Sequence, residues 1–338
     1  MDKVIFSQIQ IDITSRCNMK CRHCRDIATG IKGELSLQDI EKILKFASAY
    51  RQKKFCVTIS GGEPLLHANF SEIPAMLQKN NVNRVIITTN GSLVGKSIVE
   101  RLNYYDYSTM WLISIDDSRK AFHDNFRRFK GAFDRALKSI DIIKKYSPSS
   151  TKVLIRTTIV PSSIPRMKRM AAFFYKIGAD GVVFCCVLPA VNSPKNIKII
   201  MNAEQKKLFL EQVQHLNNSS RKGFAIRVLD PLIVILDNKL NHIGGCSPCH
   251  AGINTFSARP NGNIVPCAAM NLPIVNIKGK STKEISKIYI NSPIIKKLLK
   301  KEYSDKCSCC SLKNSCGGCR ARAWSGGNYL GNDPDCWI

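Results

Sequence analysis

The chain has 338 residues, 44% hydrophobic and 22% charged, a composition that supplies a sizeable core and excludes a disordered polypeptide. At about 150 residues per domain, the length fits two domains or one barrel with an appended module. Lysine and arginine (51) outnumber aspartate and glutamate (25), and the formal charge of +26 suits acidic partners without naming one.

The first residues show no basic region followed by an apolar run and a small-residue cleavage site, so no secretion signal is expected. The longest nearly unbroken apolar stretch, 182–191, contains Pro189 and falls short of the ~18 residues of a membrane span. A cytoplasmic protein with no membrane partner is expected. There the 15 cysteines stay reduced, which favours metal or cluster ligation over disulfides.

In chain order, apolar runs at 9–13, 56–60, 84–88, 111–115, 153–160 and 181–185 predict strands that alternate with longer helical patterns. Ser36 and Asp39 form a capping box before Ile40, Ile43, Leu44 and Phe46, and residues 132–146 repeat apolar positions at helical spacing. Six βα units predict a partial (β/α)6 TIM-like barrel over 1–190, of α/β class. Residues 191–245 read as a connecting segment with a helix over 203–216 and a strand over 224–228. From 246 to 338 the texture turns to cysteine, glycine and asparagine. Pro260 to Asn263 is a turn between two short strands, and Ser281 with Glu284 caps a lysine-rich helical stretch that reaches Glu302.

Cys17-x3-Cys21-x2-Cys24 follows the first predicted strand, which puts three thiolates where barrel enzymes place their chemistry. Three ligands to a four-iron cluster leave one iron open to chelate a small molecule. A structural zinc site is the alternative, but it wants four ligands, and no fourth stands near this loop. This triplet resembles the signature of the radical S-adenosylmethionine (SAM) superfamily. Ser60-Gly61-Gly62-Glu63-Pro64 is similar to the family's GGEP element, whose backbone and acidic side chain hold the SAM amino group. Ser114-Ile115-Asp116 resembles the segment near the ribose and carboxylate, with Ser114 and Asp116 as the contacts. Arg156 matches a basic position that faces the SAM carboxylate, and His23 the usually aromatic position near the adenine. The resemblance implies reductive cleavage of SAM to a 5'-deoxyadenosyl radical that abstracts a hydrogen atom, with an external electron donor such as flavodoxin or ferredoxin.

The C-terminal run Cys246-x2-Cys249-x12-Gly262-x4-Cys267, then Cys307-x2-Cys310-x5-Cys316-x2-Cys319, then Cys336, resembles the SPASM extension of that superfamily. By that likeness Cys246, Cys249, Cys267 and Cys319 ligate one auxiliary four-iron cluster, and Cys307, Cys310, Cys316 and Cys336 a second, giving three clusters in all. Zinc ribbons are the alternative for such pairs. Cys309 is an alternative to Cys307. Cys56 reads as core packing, and Cys186, at the end of the sixth strand, is a candidate hydrogen donor. The leading expectation is maturation of a ribosomally made peptide through a crosslink, thioether or epimerisation. The alternatives are a haem or tetrapyrrole enzyme, for which +26 suits a polycarboxylate, a nucleic-acid modifier supported by basicity alone, and a non-enzymatic iron–sulfur electron carrier.

Overall fold

Alternation along the strands sets the two faces of the sheet. In the computed structural model, which describes residues 4–189, 198–237, 239–240, 243 and 248–338, all six expected strands form: β1 (Phe6–Thr14), β2 (Arg51–Gly61), β3 (Arg84–Thr89), β4 (Ser108–Ser114), β5 (Lys152–Ile159) and β6 (Gly181–Cys186). They pair in parallel in chain order. Ile9, Ile11 and Ile13 of β1, Val57 and Ile59 of β2, Trp111 and Ile113 of β4, and Val182 and Phe184 of β6 enter one core with Ile40, Ile43, Leu44 and Phe46 of the Leu37–Ala49 helix. The intervening residues, among them Asp12, Thr58, Ser114, Arg156 and Thr158, turn to the opposite, polar face. A parallel sheet with helices on one face and polar groups on the other is the expected partial barrel, its loops gathered at the strands' C-terminal ends.

The sheet runs past both expected boundaries. β7 (Ala225–Val228) joins parallel to β6, and β8 (Thr255–Ala258) joins parallel to β1. β9 (Asn263–Val265) and β10 (Val275–Asn276) follow antiparallel, completing the order β10-β9-β8-β1-β2-β3-β4-β5-β6-β7. The edges of β1 and β6 are thereby paired rather than left open. The turn at 260–263 joins β8 to β9, with Gly262 at φ 88°.

The helices start where their caps stand. Ser36 and Asp39 form the capping box of Leu37–Ala49, and Asn202 with Gln205 opens Ala203–Asn218, two residues longer than expected. Ser281 and Glu284 open Thr282–Asn291, but the stretch to Glu302 breaks at Ser292, and a second helix, Pro293–Leu299, begins at the proline. A proline ring cannot continue the preceding helix and restricts the residue before it. Phe6, Phe46, Phe256 and Tyr289 meet with ring centroids 4.9–5.9 Å apart, locking β1, β8 and two helices together, each pair contributing about 0.5–1.5 kcal/mol. Among the described residues, no helix is long and apolar enough to cross a membrane.

Candidate functional site

β1 ends at Thr14, and the chain turns into the loop that carries Cys17, Cys21 and Cys24, the last standing just before the short Arg25–Thr29 helix. Cys17 and Cys21 each lie within electrostatic reach of Cys24. Cys17 Sγ accepts the Met19 N–H at 3.5 Å, and Cys21 Sγ faces an Arg127 guanidinium nitrogen at 3.8 Å. Burial pushes the Cys17 thiol up to about 11, so a thiolate there needs a cation to hold its charge.

The glycine turn after β2 packs onto this loop. Gly62 N–H donates to the Thr14 carbonyl and Glu63 N–H to the Arg16 carbonyl, both at 2.8 Å. A β-carbon at Gly61 would collide with the Thr14 carbonyl, and one at Gly62 with the Arg16 carbonyl. The glycines therefore admit the backbone of the cysteine loop itself. Glu63 is wholly buried, and its carboxylate accepts from Thr89 Oγ1 (2.7 Å), Asn90 N–H (2.8 Å) and Leu65 N–H (3.3 Å). Burial lifts its carboxyl to about 7 against those bonds. Glu63 thus ties β2 to β3, with about one of its four lone-pair directions left for an ammonium. The buried Pro64 opens a 3-10 turn beside it.

Ser114 and Arg156 are register partners on β4 and β5, side by side on the polar face. Arg156 has no ion-pair partner among the described residues and lies within electrostatic reach of His23. The His23 ring stacks on Phe126 at 4.7 Å, its Nδ1 is buried without a hydrogen-bond partner, and burial drives its pKa down to about 3, so the ring is neutral. An orphaned ring nitrogen, a stacking surface and an unpaired guanidinium fit a nucleoside that bears a carboxylate.

The Asp116 carboxylate is fully buried and accepts from Arg127 Nε at 2.6 Å and the Thr158 N–H at 3.0 Å, so it also reaches the cysteine loop through Arg127. Burial opposes its charge, but Arg127 and the other groups around it together outweigh that and hold the carboxyl well below the usual range. Arg127 is therefore a cationic donor on Cys21 that the sequence reading missed.

In the C-terminal module Cys246 lies outside the described residues, while Cys267 and Cys319 are each within electrostatic reach of Cys249. Cys307, Cys310, Cys316 and Cys336 line one cavity with Leu232, Ile235 and Leu312. The exposed Cys309 is not part of that lining. Cys316 accepts the Gly318 N–H at 3.3 Å, Cys267 the Ala269 N–H at 3.5 Å, and Cys307 an Arg320 guanidinium at 3.6 Å. Such N–H to sulfur bonds stabilise thiolates and tune cluster potentials. Among the described residues, no three Cys, His, Asp or Glu side chains crowd closely enough to hold a single metal ion. A tetrahedral zinc site requires that crowding, whereas a four-iron cluster takes each thiolate at a separate iron. The described cysteines are all free of disulfides.

Two buried charge networks also escaped the sequence reading. Asp12 Oδ2 accepts from Arg25 and from Arg259, both at 2.7 Å, joining the residue after Cys24 to Arg259, which also donates to the Ala268 carbonyl beside Cys267. The signal was present as a lone aspartate among Ile9, Ile11 and Ile13. Arg322 pairs with Asp230 and Asp333, both at 2.7 Å, and Asp333 accepts the Cys319 N–H. The strand alternation turns Cys186 to the helix-covered face, where its Sγ lies 2.6 Å from Lys206 Nζ, while Cys185 takes the polar face beside Thr158. A hydrogen donor at Cys186 would have to act from the wrong side of the sheet.

Residues 11–174 match the model of the Radical SAM superfamily. The chain is 26% identical over 339 residues to the AdoMet-dependent heme synthase of Methanosarcina barkeri, covering 96% of this chain and 94% of that protein. It is 26% identical over 334 residues to the antilisterial bacteriocin subtilosin biosynthesis protein AlbA of Bacillus subtilis, covering 96% and 70%. The structure of Streptococcus suis SuiB bound to precursor peptide SuiA shares the fold, with a TM-score of 0.75 at 20% identity over 99% of this chain and 76% of that one.

Proposed function

The chain carries a radical SAM domain and is a radical SAM enzyme, and from that premise we propose that it matures a ribosomally made peptide. The observation that carries this reading is the likeness to a bacteriocin biosynthesis protein over 96% of this chain and 70% of that protein, and the +26 charge suits an acidic peptide segment. In this reading Cys17, Cys21 and Cys24 hold the SAM-binding cluster, and Gly61, Gly62, Glu63 and Pro64 brace their loop. Arg156 and Ser114 receive the SAM carboxylate, and His23 the adenine. Cys249, Cys267 and Cys319, with Cys246, hold one auxiliary cluster, and Cys307, Cys310, Cys316 and Cys336 the other. When bound, cluster and SAM supply a 5'-deoxyadenosyl radical; the chain's own task is to orient the reacting carbon on the polar face and keep water out. A flavodoxin or ferredoxin as electron donor and a cytoplasmic location belong to the same proposal.

A second reading, modification of a tetrapyrrole, is favoured by the heme synthase likeness over 94% of that protein. Anaerobically reconstituted enzyme, given SAM, a reductant and either an acidic-leader peptide or a polycarboxylate porphyrin, separates the two by mass spectrometry. Loss of hydrogen from the peptide supports maturation; change in the porphyrin alone replaces it with the second reading.

A further inference from the structure

The half-buried Cys186 and the buried Lys206 form a thiol–amine pair that the radical chemistry leaves unused. Lys206 enters from the Ala203–Asn218 helix, is 1% exposed, and puts Nζ 2.6 Å from Cys186 Sγ at the end of β6. The other nitrogen–sulfur contacts described above are wider, at 3.3 Å for Gly318 to Cys316, 3.5 Å for Met19 to Cys17 and for Ala269 to Cys267, 3.6 Å for Arg320 to Cys307 and 3.8 Å for Arg127 to Cys21. Sulfur is larger than oxygen, so hydrogen bonds to it are longer; 2.6 Å is instead the gap that one bent, singly bonded oxygen atom spans. Asp230 Oδ2, itself paired with Arg322, stands 3.3 Å from Nζ, and Asp335 stands at 3.7 Å.

We propose that Cys186 and Lys206 are a modification site, where dioxygen joins them through a covalent nitrogen–oxygen–sulfur bridge. The ammonium first loses one proton to solvent. One N–H and one S–H bond then break, and one N–O and one O–S bond form. One oxygen atom of dioxygen enters the bridge and the other leaves as water. Nitrogen and sulfur are each oxidised by two electrons, and dioxygen takes all four. The bridge removes the lysine charge facing Asp230 and fastens β6 to the helix, so exposure to air is recorded in the same network that reaches Arg322, Asp333 and the Cys319 backbone. An excess of dithiol returns the four electrons and restores the free thiol and amine.

The test uses the wild-type holoenzyme, purified without air and divided, with one half exposed to air, followed by proteolysis and mass spectrometry of both. The bridge predicts a peptide pair joined at Cys186 and Lys206 in the aerobic half alone. Its mass is the sum of the two free peptides plus one oxygen and less two hydrogens, and it is lost after dithiol treatment. Lys206→Arg, which keeps the positive charge beside Asp230, removes the joined species. Recovery of both residues unlinked, a sulfinic acid on Cys186 beside a free Lys206, or Cys186 joined to any other residue overturns the proposal.

Discussion

At the residue scale, the charge on the cysteine loop is governed by a side chain far away in sequence. Arg127 sits 106 positions from Cys21, pinned by Asp116, and both members of the pair are buried, with side-chain exposures of 9% and 0%. Removing one partner leaves an uncompensated buried charge, so Arg127→Gln should lower stability by about 3–5 kcal/mol, and Asp116→Asn in the same chain should restore most of it. Urea denaturation of the two single variants and the double variant checks this, and a double-variant loss equal to the sum of the single losses would show that the pair is not coupled. Gly62→Ala should be worse for the site than for the fold. Its β-carbon meets the Arg16 carbonyl, so the loop must shift, and a misplacement near 1 Å can cost about 100-fold in rate; formation of 5'-deoxyadenosine measures it. Legibility differed between these residues for a physical reason. Cysteine ligands and the GGEP turn repeat at short local spacings, whereas Arg127 and Arg320 act on sulfurs distant in sequence and carry no local pattern.

At the element scale, the six strands and the capped helices were legible because burial imposes a period of 2 on strands and 3.6 on helices. The break at Pro293 was legible too, yet the lysine-rich periodicity masked it. The pairing of β8 with β1 was not legible: Arg259 and Asp12 stand 247 residues apart, and no local signal specifies a partner at that range. At the N-terminal ends of the strands, away from the chemistry, Asp180 accepts the Val153 N–H at 2.9 Å and Lys144 Nζ at 3.0 Å. Burial opposes its charge, but these donors outweigh it and lower its pKa. A depressed carboxyl stabilises the fold above its unfolded value, near 3.9 for aspartate, and that stability is lost as pH falls through the folded value. Asp180→Asn should therefore cost about 0.5–1 kcal/mol at pH 6, at the low end because solvent screens the pair. The difference from wild type should fade below about pH 4. Melting curves across that range check it, and a gap that widens on acidification would contradict the assignment.

At the scale of the whole molecule, the cysteine-rich module and the barrel share one sheet and one aromatic core. Ending the chain at residue 245 would strip β8 from β1 and remove Phe256 and Tyr289 from Phe6 and Phe46. An unpaired apolar edge of this kind associates, so the truncated chain should aggregate rather than yield a monomeric barrel, as size-exclusion chromatography would show. Replacement of Cys316 by alanine should instead leave the fold and some SAM cleavage while stopping turnover of substrate.

The proposed chemistry starts at the loop of Cys17, Cys21 and Cys24. The decisive measurement is the 5'-deoxyadenosine released when anaerobically reconstituted protein is reduced in the presence of SAM, beside its iron content. Wild type should release it, and the Cys17→Ala, Cys21→Ala, Cys24→Ala triple variant should release none while keeping the iron of the C-terminal module. Undiminished release by the triple variant would place the chemistry elsewhere.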